Sequence, residues 1–176
     1  MKLDKGINMK VSNTLKDESM TYTVQPKDRE ELMRIITAQI QREGLKCNLN
    51  FIDTSLIEDM SELFIDSEFN GDISEWDVSN VTNMGGMFYN SKFDGDISNW
   101  NTSNVKYMCD MFTSSAFNGG ISEWDVSNVT DMNYIFYDSA FNQDISRWDV
   151  SSVKYMRGMF TDCPLEVNPQ HQPKFK

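Results

Sequence analysis

Four consecutive stretches of this chain, 69–92, 93–116, 117–140 and 141–164, align without a gap at a period of 24 residues. They open FNGDISEWDVSNV, FDGDISNWNTSNV, FNGGISEWDVSNV and FNQDISRWDVSSV. A unit this short cannot bury an apolar face against itself, so it acquires a core only by stacking on its siblings. One period earlier, 45–68 keeps the apolar skeleton in other residues: Leu49 for Ile73, Ile52 for Trp76, Ile57 for Val81, Met60 for Met84 and Phe64 for Phe88. The chain therefore reads as five units over 45–164, the first divergent, as a terminal unit facing a cap would be. A second period of 48 residues lies over the first. Units two and four share Val-Thr and Phe-Tyr (Val81-Thr82 with Phe88-Tyr89, Val129-Thr130 with Phe136-Tyr137), while units three and five share Val-Lys-Tyr-Met and Phe-Thr.

Within a unit the apolar spacing is Ile-x-x-Trp-x-Val-x-x-Val, the spacing of a leucine-rich repeat. Alternation at Trp76 and Val78 predicts a short parallel strand with two inward side chains. Val81, Met84, Met87 and Phe88 recur at three to four residues and predict a helical turn on the other wall. The predicted fold is thus a leucine-rich-repeat-like solenoid of the α/β class: five 24-residue units with short parallel strands. Like residues stack in columns of Trp (Trp76, Trp100, Trp124, Trp148), Met (Met84, Met108, Met132, Met156) and Phe (Phe88, Phe112, Phe136, Phe160). These are the large apolar groups available to build a core, so the columns read as packing and not as a cofactor box.

The flanks divide the rest. Residues 1–44 form an N-terminal segment in which 1–22 lacks apolar period and reads as a flexible or edge segment. Pro26, the stripe Leu32, Met33, Ile35, Ile36 and Ile40, and Gly44 predict a helix over about 27–43 that caps the open end of the stack. Residues 165–176, with Pro169 and Pro173, read as a tail without regular structure.

Polar residues also repeat: Asp72, Asp96 and Asp144 at one position with Gly120 in the series, Asp77, Asp125 and Asp149 at another with Asn101, and Asn80, Asn104 and Asn128 at a third. Their bland role is turn and cap chemistry. A stacked calcium site is the rival reading, and Gly120 and Asn101 break its ladders. Cys47, Cys109 and Cys163 are odd in number and far apart, and His171 is the single histidine. That inventory argues against a zinc site or a disulfide framework and for free thiols.

Charge narrows the function classes. The 176 residues carry 16 Lys and Arg against 27 Asp and Glu, a net charge of -11. That excess argues against direct binding of nucleic acid or anionic membrane. No apolar run reaches the roughly 20 residues of a membrane span, and the opening MKLDKGINMK has no apolar stretch behind its lysines, so a cytoplasmic location is expected. The acidity belongs to the units: 45–164 holds 19 Asp and Glu against six Lys and Arg. Residues beside the inward Trp and Val positions point outward, which singles out Glu75, Asp77, Glu123, Asp125 and Asp149, interrupted by Asn99, Asn101 and Arg147. Such a face would steer a partner with a basic surface. The opposite wall offers Tyr89, Tyr107, Tyr137 and Tyr155.

The motif F-N-G-D-I-S-x-W-D-V-S-N-V-x-x-M-x-x-M-F resembles the BspA-like leucine-rich-repeat family, also described as the mycoplasma lipoprotein-associated surface repeat. The helix ending Arg42-Glu43-Gly44, then Asp53-Thr54-Ser55 and Met60-Ser61-Glu62-Leu63-Phe64, is similar to short bacterial or phage members. The resemblance implies a solenoid that binds proteins; many relatives are cell-surface adhesins, and the family brings no catalytic motif. The expected function is a non-enzymatic protein-binding module acting through its acidic face, without metal or cofactor. One alternative is a phage or mobile-element inhibitor of a host nucleic-acid-binding defence enzyme, with carboxylates standing in for phosphates. Another is a bacterial surface adhesin fragment.

Overall fold

The computed structural model describes residues 8–12 and 21–175. Its elements in order are strand β1 (Asn8–Ser12), strand β2 (Thr21–Gln25), helix α1 (Arg29–Glu43) and two short 3-10 helices, Pro164–Val167 and Pro169–His171. Between α1 and the first 3-10 helix, successive 24-residue units are joined to one another by hydrogen bonds. Isolated parallel bridges pair Asp59 with Asn83, Asn83 with Tyr107, Tyr107 with Asp131, and Asp131 with Tyr155.

Two walls make each coil, and neither has the backbone that the apolar spacing predicts. The stretch carrying Trp and Val forms turns instead of a strand. Trp76 N donates to the Ile73 carbonyl at 3.2 Å and Val81 N to the Val78 carbonyl at 2.9 Å. The reason is the residues between: Asp77 Oδ1 accepts from Ser79 N at 3.0 Å, a side-chain bond that competes with a strand ladder.

The opposite wall is a run of tight turns instead of a helix. Met87 N donates to the Met84 carbonyl, Tyr89 N to Gly86 and Ser91 N to Phe88, at 3.0–3.2 Å. The intervening amides leave the coil: Met84, Gly86, Phe88 and Asn90 donate to the carbonyls of Tyr107, Cys109, Met111 and Thr113 in the next coil, at 2.8–2.9 Å. A helix is interrupted every four residues because Gly86 and Asn90 sit at positive φ (62° and 48°), as do Asp110 and Ser114, Tyr134 and Asp138, and Gly158 and Asp162 in later coils. Gly, Asn and Asp tolerate that conformation. Tyr134 does not by its chemistry, and it stands at φ 56°.

The interior is aromatic. The Trp76 and Trp100 rings lie 6.5 Å apart and nearly parallel at 3°, and Phe88 and Phe112 5.6 Å apart at 7°. A second Phe series interleaves with the first: Phe93 packs on Phe88 with centroids 4.5 Å apart. Each indole also bonds one coil back, where Trp76, Trp100, Trp124 and Trp148 Nε1 donate to the carbonyls of Leu49, Ile73, Ile97 and Ile121 at 3.0–3.2 Å. A buried Trp thus satisfies its one polar atom while closing the gap between coils.

Both ends of the stack are covered. Asp28 caps α1 by accepting from Glu31 N at 2.9 Å, and Gly44, at φ 87°, ends it with N–H on the Ile40 carbonyl. The helix therefore begins two residues later than predicted, with Pro26 ahead of the cap. Leu32 and Ile36 are buried in one core with Leu49, Ile52, Ile57, Met60 and Phe64, and Ile40 packs against it half-buried. Strand β2 is an element the sequence reading missed. It pairs antiparallel with β1 and forms a parallel bridge from Val24 to Ile52. The remainder of 1–20 lies outside the described residues. At the other end the tail is ordered. Leu165, 24 residues after Phe141, is fully buried, and Ile145 N donates to the His171 carbonyl at 2.9 Å. The apolar column runs one step past the fifth unit and folds the tail back over it.

Candidate protein-interaction surface

Glu75, Asp77, Glu123, Asp125 and Asp149 are all exposed, flanking buried Trp76, Trp124 and Trp148. The aspartates are held still. Asp77, Asp125 and Asp149 Oδ1 each accept from the amide of the serine two residues on, at 3.0 Å. Asn101 does the same for Ser103 at 3.2 Å, so an amide can fill the turn without the charge. The Ser79 hydroxyl, with the Ser79 amide, holds the Asp77 carboxyl below its usual range, and Ser127 does likewise for Asp125. These charges persist to lower pH than free aspartates keep theirs.

The structure brings some of these residues together and separates others. Asp125 and Asp149 are close enough for the Asp149 charge to oppose ionisation of Asp125. Coil three, with exposed Asn99 and Asn101, lies between the Glu75–Asp77 pair and the Glu123–Asp125 pair. Glu123 shares an open depression with Gly120, Ser122, Gln143, Asp144 and Arg147, so Arg147 breaks the acidic run there.

Asp144 in that depression belongs to a series that the sequence assigns to turn chemistry, with stacked calcium as the rival reading. Asp72, Asp96 and Asp144 are exposed, and each accepts from a serine amide two residues on at 2.9–3.0 Å. Those amides and the serine hydroxyls hold all three carboxyls below the usual range. Asp144 lines the same open depression as Glu123 of the preceding coil, so this series adds to the same field. The 24-residue repeat was the available signal, because a side chain that caps an exposed turn is also a surface charge.

On the other wall Tyr89, Tyr107 and Tyr155 are 37%, 48% and 58% exposed. Tyr137 is half-buried, with Tyr134 set edge-on to it at 5.9 Å and 88°. Tyr107 and Tyr155 occupy the bridge column and Tyr89 and Tyr137 the later turn, so tyrosines alternate between two positions from coil to coil. Cys47, Cys109 and Cys163 are free thiols whose burial raises their pKa. Among the described residues no three His, Cys, Asp or Glu side chains converge as a metal site, and no helix is long and apolar enough to cross a membrane.

The model of the family described as "Mycoplasma protein of unknown function, DUF285" matches residues 33–137 and again 113–170. The chain belongs to that family. The DUF285 matches overlap and cover α1 from Met33 onward, all five coils and the first tail helix. Two overlapping matches to one family model fit a chain built of repeats. No curated protein and no solved structure matches the chain.

Proposed function

We propose that this DUF285 member is a non-enzymatic protein-binding module, a leucine-rich-repeat-like solenoid of the BspA-like kind that meets a basic protein surface with its acidic stretch. The observation that carries the reading is the fixing of exposed carboxylates by turn bonds at Asp72, Asp77, Asp96, Asp125 and Asp144. A charge already held in place loses little freedom on binding. Carboxylates repeated along a stack also sum their fields, which accelerates encounter with a cationic partner over a Debye length of about 8 Å.

Asn101 supplies the test variant. Changing Glu75, Asp77, Glu123, Asp125 and Asp149 to the amides removes five charges while retaining the turn acceptors. Affinity capture from a bacterial lysate, run across a salt series, should retain a partner on the wild type and lose it on the variant. Equal capture and equal salt dependence by both proteins would refute the acidic stretch as the site and direct attention to the tyrosine wall. A narrower form of the reading takes the partner to be a nucleic-acid-binding enzyme of a host, with the chain encoded by a phage or mobile element. The fixed carboxylates repeated along the stack, interrupted at Asn101 and Gly120, favour it, since phosphates also present charge in series. Competition between the captured partner's nucleic acid and the chain tests that form.

A further inference from the structure

The turn wall is polar along the stack. In each junction a row of four amides of one coil donates forward to carbonyls of the next; Met132, Tyr134, Phe136 and Asp138 donate to Tyr155, Arg157, Met159 and Thr161 at 2.8–3.2 Å. The last coil therefore ends in a row of donors with no coil to receive them. Of its four equivalent amides, Asp162 N donates to Glu166 Oε2 at 3.0 Å. Met156, Gly158 and Phe160 N have no partner among the described residues. The first coil presents the opposite pole, where Arg29 Nε donates to the Ser61 carbonyl at 2.7 Å. The chain itself closes a carbonyl with a cation at one end and an amide with a carboxylate at the other, as a unidirectional peptide row requires.

The donor row is open in other ways. The tail covers the Phe141 side of the last coil and only part of this side, where Glu166 holds the Asp162 amide and the Phe175 ring lies 6.4 Å from that of Phe160. Met156 is 42% exposed, whereas Met84, Met108 and Met132 are fully buried, and Phe160 is half-buried. An open depression lies over the row, lined by Met156, Gly158, Phe160, Glu166, Gln172 and Phe175. Lys154 and Arg157, two residues before Met156 and one after it, are exposed, and neither side chain has an ion pair among the described residues.

We propose that this edge docks an acidic peptide segment of a partner protein. Its backbone carbonyls take the Met156, Gly158 and Phe160 amides, its carboxylates meet Lys154 and Arg157, and its apolar side chains cover Met156 and Phe160. Every internal junction shows the backbone part, since the same row takes a polypeptide at each coil. A second copy of the chain stacked head to tail would offer the right carbonyls, but α1 already packs on its first coil through Leu32 and Ile36.

The probe is a synthetic peptide of residues 57–66, IEDMSELFID, which carries Met and Phe at the coil spacing with four carboxylates. Added to the ¹⁵N-labelled full chain, it should shift the amide resonances of Met156, Gly158 and Phe160 and leave those of Met84, Gly86 and Phe88 in place. Lys154→Glu with Arg157→Glu should weaken binding at least fivefold, with an unchanged melting temperature showing that the fold is intact. A peptide with all four acids replaced by amides should weaken similarly. Shifts confined to other surfaces, no shifts at millimolar peptide, or affinity indifferent to both charge changes would overturn the proposal. Shifts of the same amides with protein concentration alone, together with growth in light scattering, would overturn it in favour of a second copy.

Discussion

The two walls of a coil solve one problem by different means. On the turn wall the backbone spans the gap between coils, with four amides from 84–90 donating forward. On the Trp wall side chains span it: the Trp indoles, and Asn80, Asn104 and Asn128 Nδ2, which donate to the carbonyls of Ser55, Ser79 and Ser103 at 2.7–2.8 Å. The sequence divides accordingly. Coils two to five keep Ile, Ser, Trp and Ser at fixed places on the Trp wall, while equivalent turn-wall places read Gly85, Cys109, Asn133 and Arg157, or Gly86, Asp110, Tyr134 and Gly158. On the turn wall the places between the inward Met and Phe are free to vary, because the peptide does the bonding there. Where the side chain does it, the side chain must recur. Places that differ between copies on the turn wall are thus those whose side chains the stack does not use.

That contrast is broken most severely at a tryptophan. Trp124→Ala leaves a cavity between stacked aromatic rings and leaves the Ile97 carbonyl with the Trp100 amide alone, and should cost roughly 3–5 kcal/mol in a urea titration. Trp124→Phe keeps most of the ring and loses the indole bond, and should fall well short of that cost. Equal losses for the two would mean that the indole bond, and not packing of the ring, holds the Trp wall.

On the turn wall the vulnerable feature is backbone shape. A Cβ on Gly158 would lie 2.6 Å from Tyr134 Cδ1, at a φ of +59°. Gly158→Ala should cost about 1–3 kcal/mol, from overpacking and left-handed strain together. Adding Tyr134→Gly removes the ring in conflict and relieves a bulky residue at positive φ, so the pair should cost less than the sum of the single changes. Strict additivity in that cycle would show that the ring does not seat on Gly158.

Milder changes within coil three sharpen the comparison. Asn104→Ala removes the bond to the Ser79 carbonyl and should cost about 1 kcal/mol. Tyr107→Ala, on the turn wall, leaves the bonds from Met84 N to its carbonyl and from its own amide to Thr82 intact. It should cost less than about 0.5 kcal/mol despite removing the larger side chain. A larger loss at Tyr107 than at Asn104 would reverse the division of labour between the walls.

The same division explains what was legible in the sequence. Burial of the Trp and Phe columns follows from recurrence of large apolar residues at one period, because stacking leaves them no other place. Met156 escapes that logic, since burial of a column member needs a following coil. Leu165 was equally legible, standing one period beyond Phe141, yet two prolines nearby made the tail read as irregular. The local backbone was not legible. Val81, Met84, Met87 and Phe88 have helical spacing, and only the left-handed turns at Gly86 and Asn90 divert their amides to a neighbour. Spacing reports which side chains share a face; it does not report whether an amide bonds within its own coil or to the next. Exposure of Glu75, Asp77, Glu123, Asp125 and Asp149 followed from their places beside buried residues, whereas the convergence of Asp144 and Arg147 on Glu123 depended on how neighbouring coils meet.

The smallest effect concerns the charges on the Trp wall. Asp77 and Asp125 have carboxyl pKa values lowered by their serine partners, so the folded state favours the ionised form. A lowered folded pKa gives stability that is complete above the unfolded value, near 3.9, and is lost as pH falls through the folded value. Urea midpoints for the wild type should therefore be flat from pH 7 to 5 as far as these groups are concerned, then fall below about pH 4. In Asp77→Asn with Asp125→Asn the turn acceptor remains, as Asn101 shows with its bond to Ser103. The variant should be slightly less stable at neutral pH and should meet the wild-type curve in acid, while Asp72, Asp96 and Asp144 keep a common acid decline in both. The convergence must be small, since these side chains face solvent and water screens what they gain. Parallel curves across the whole range would mean that the turn needs the oxygen acceptor and gains nothing from its charge. The charge would then stand free of structural duty, with binding left as the reason for it.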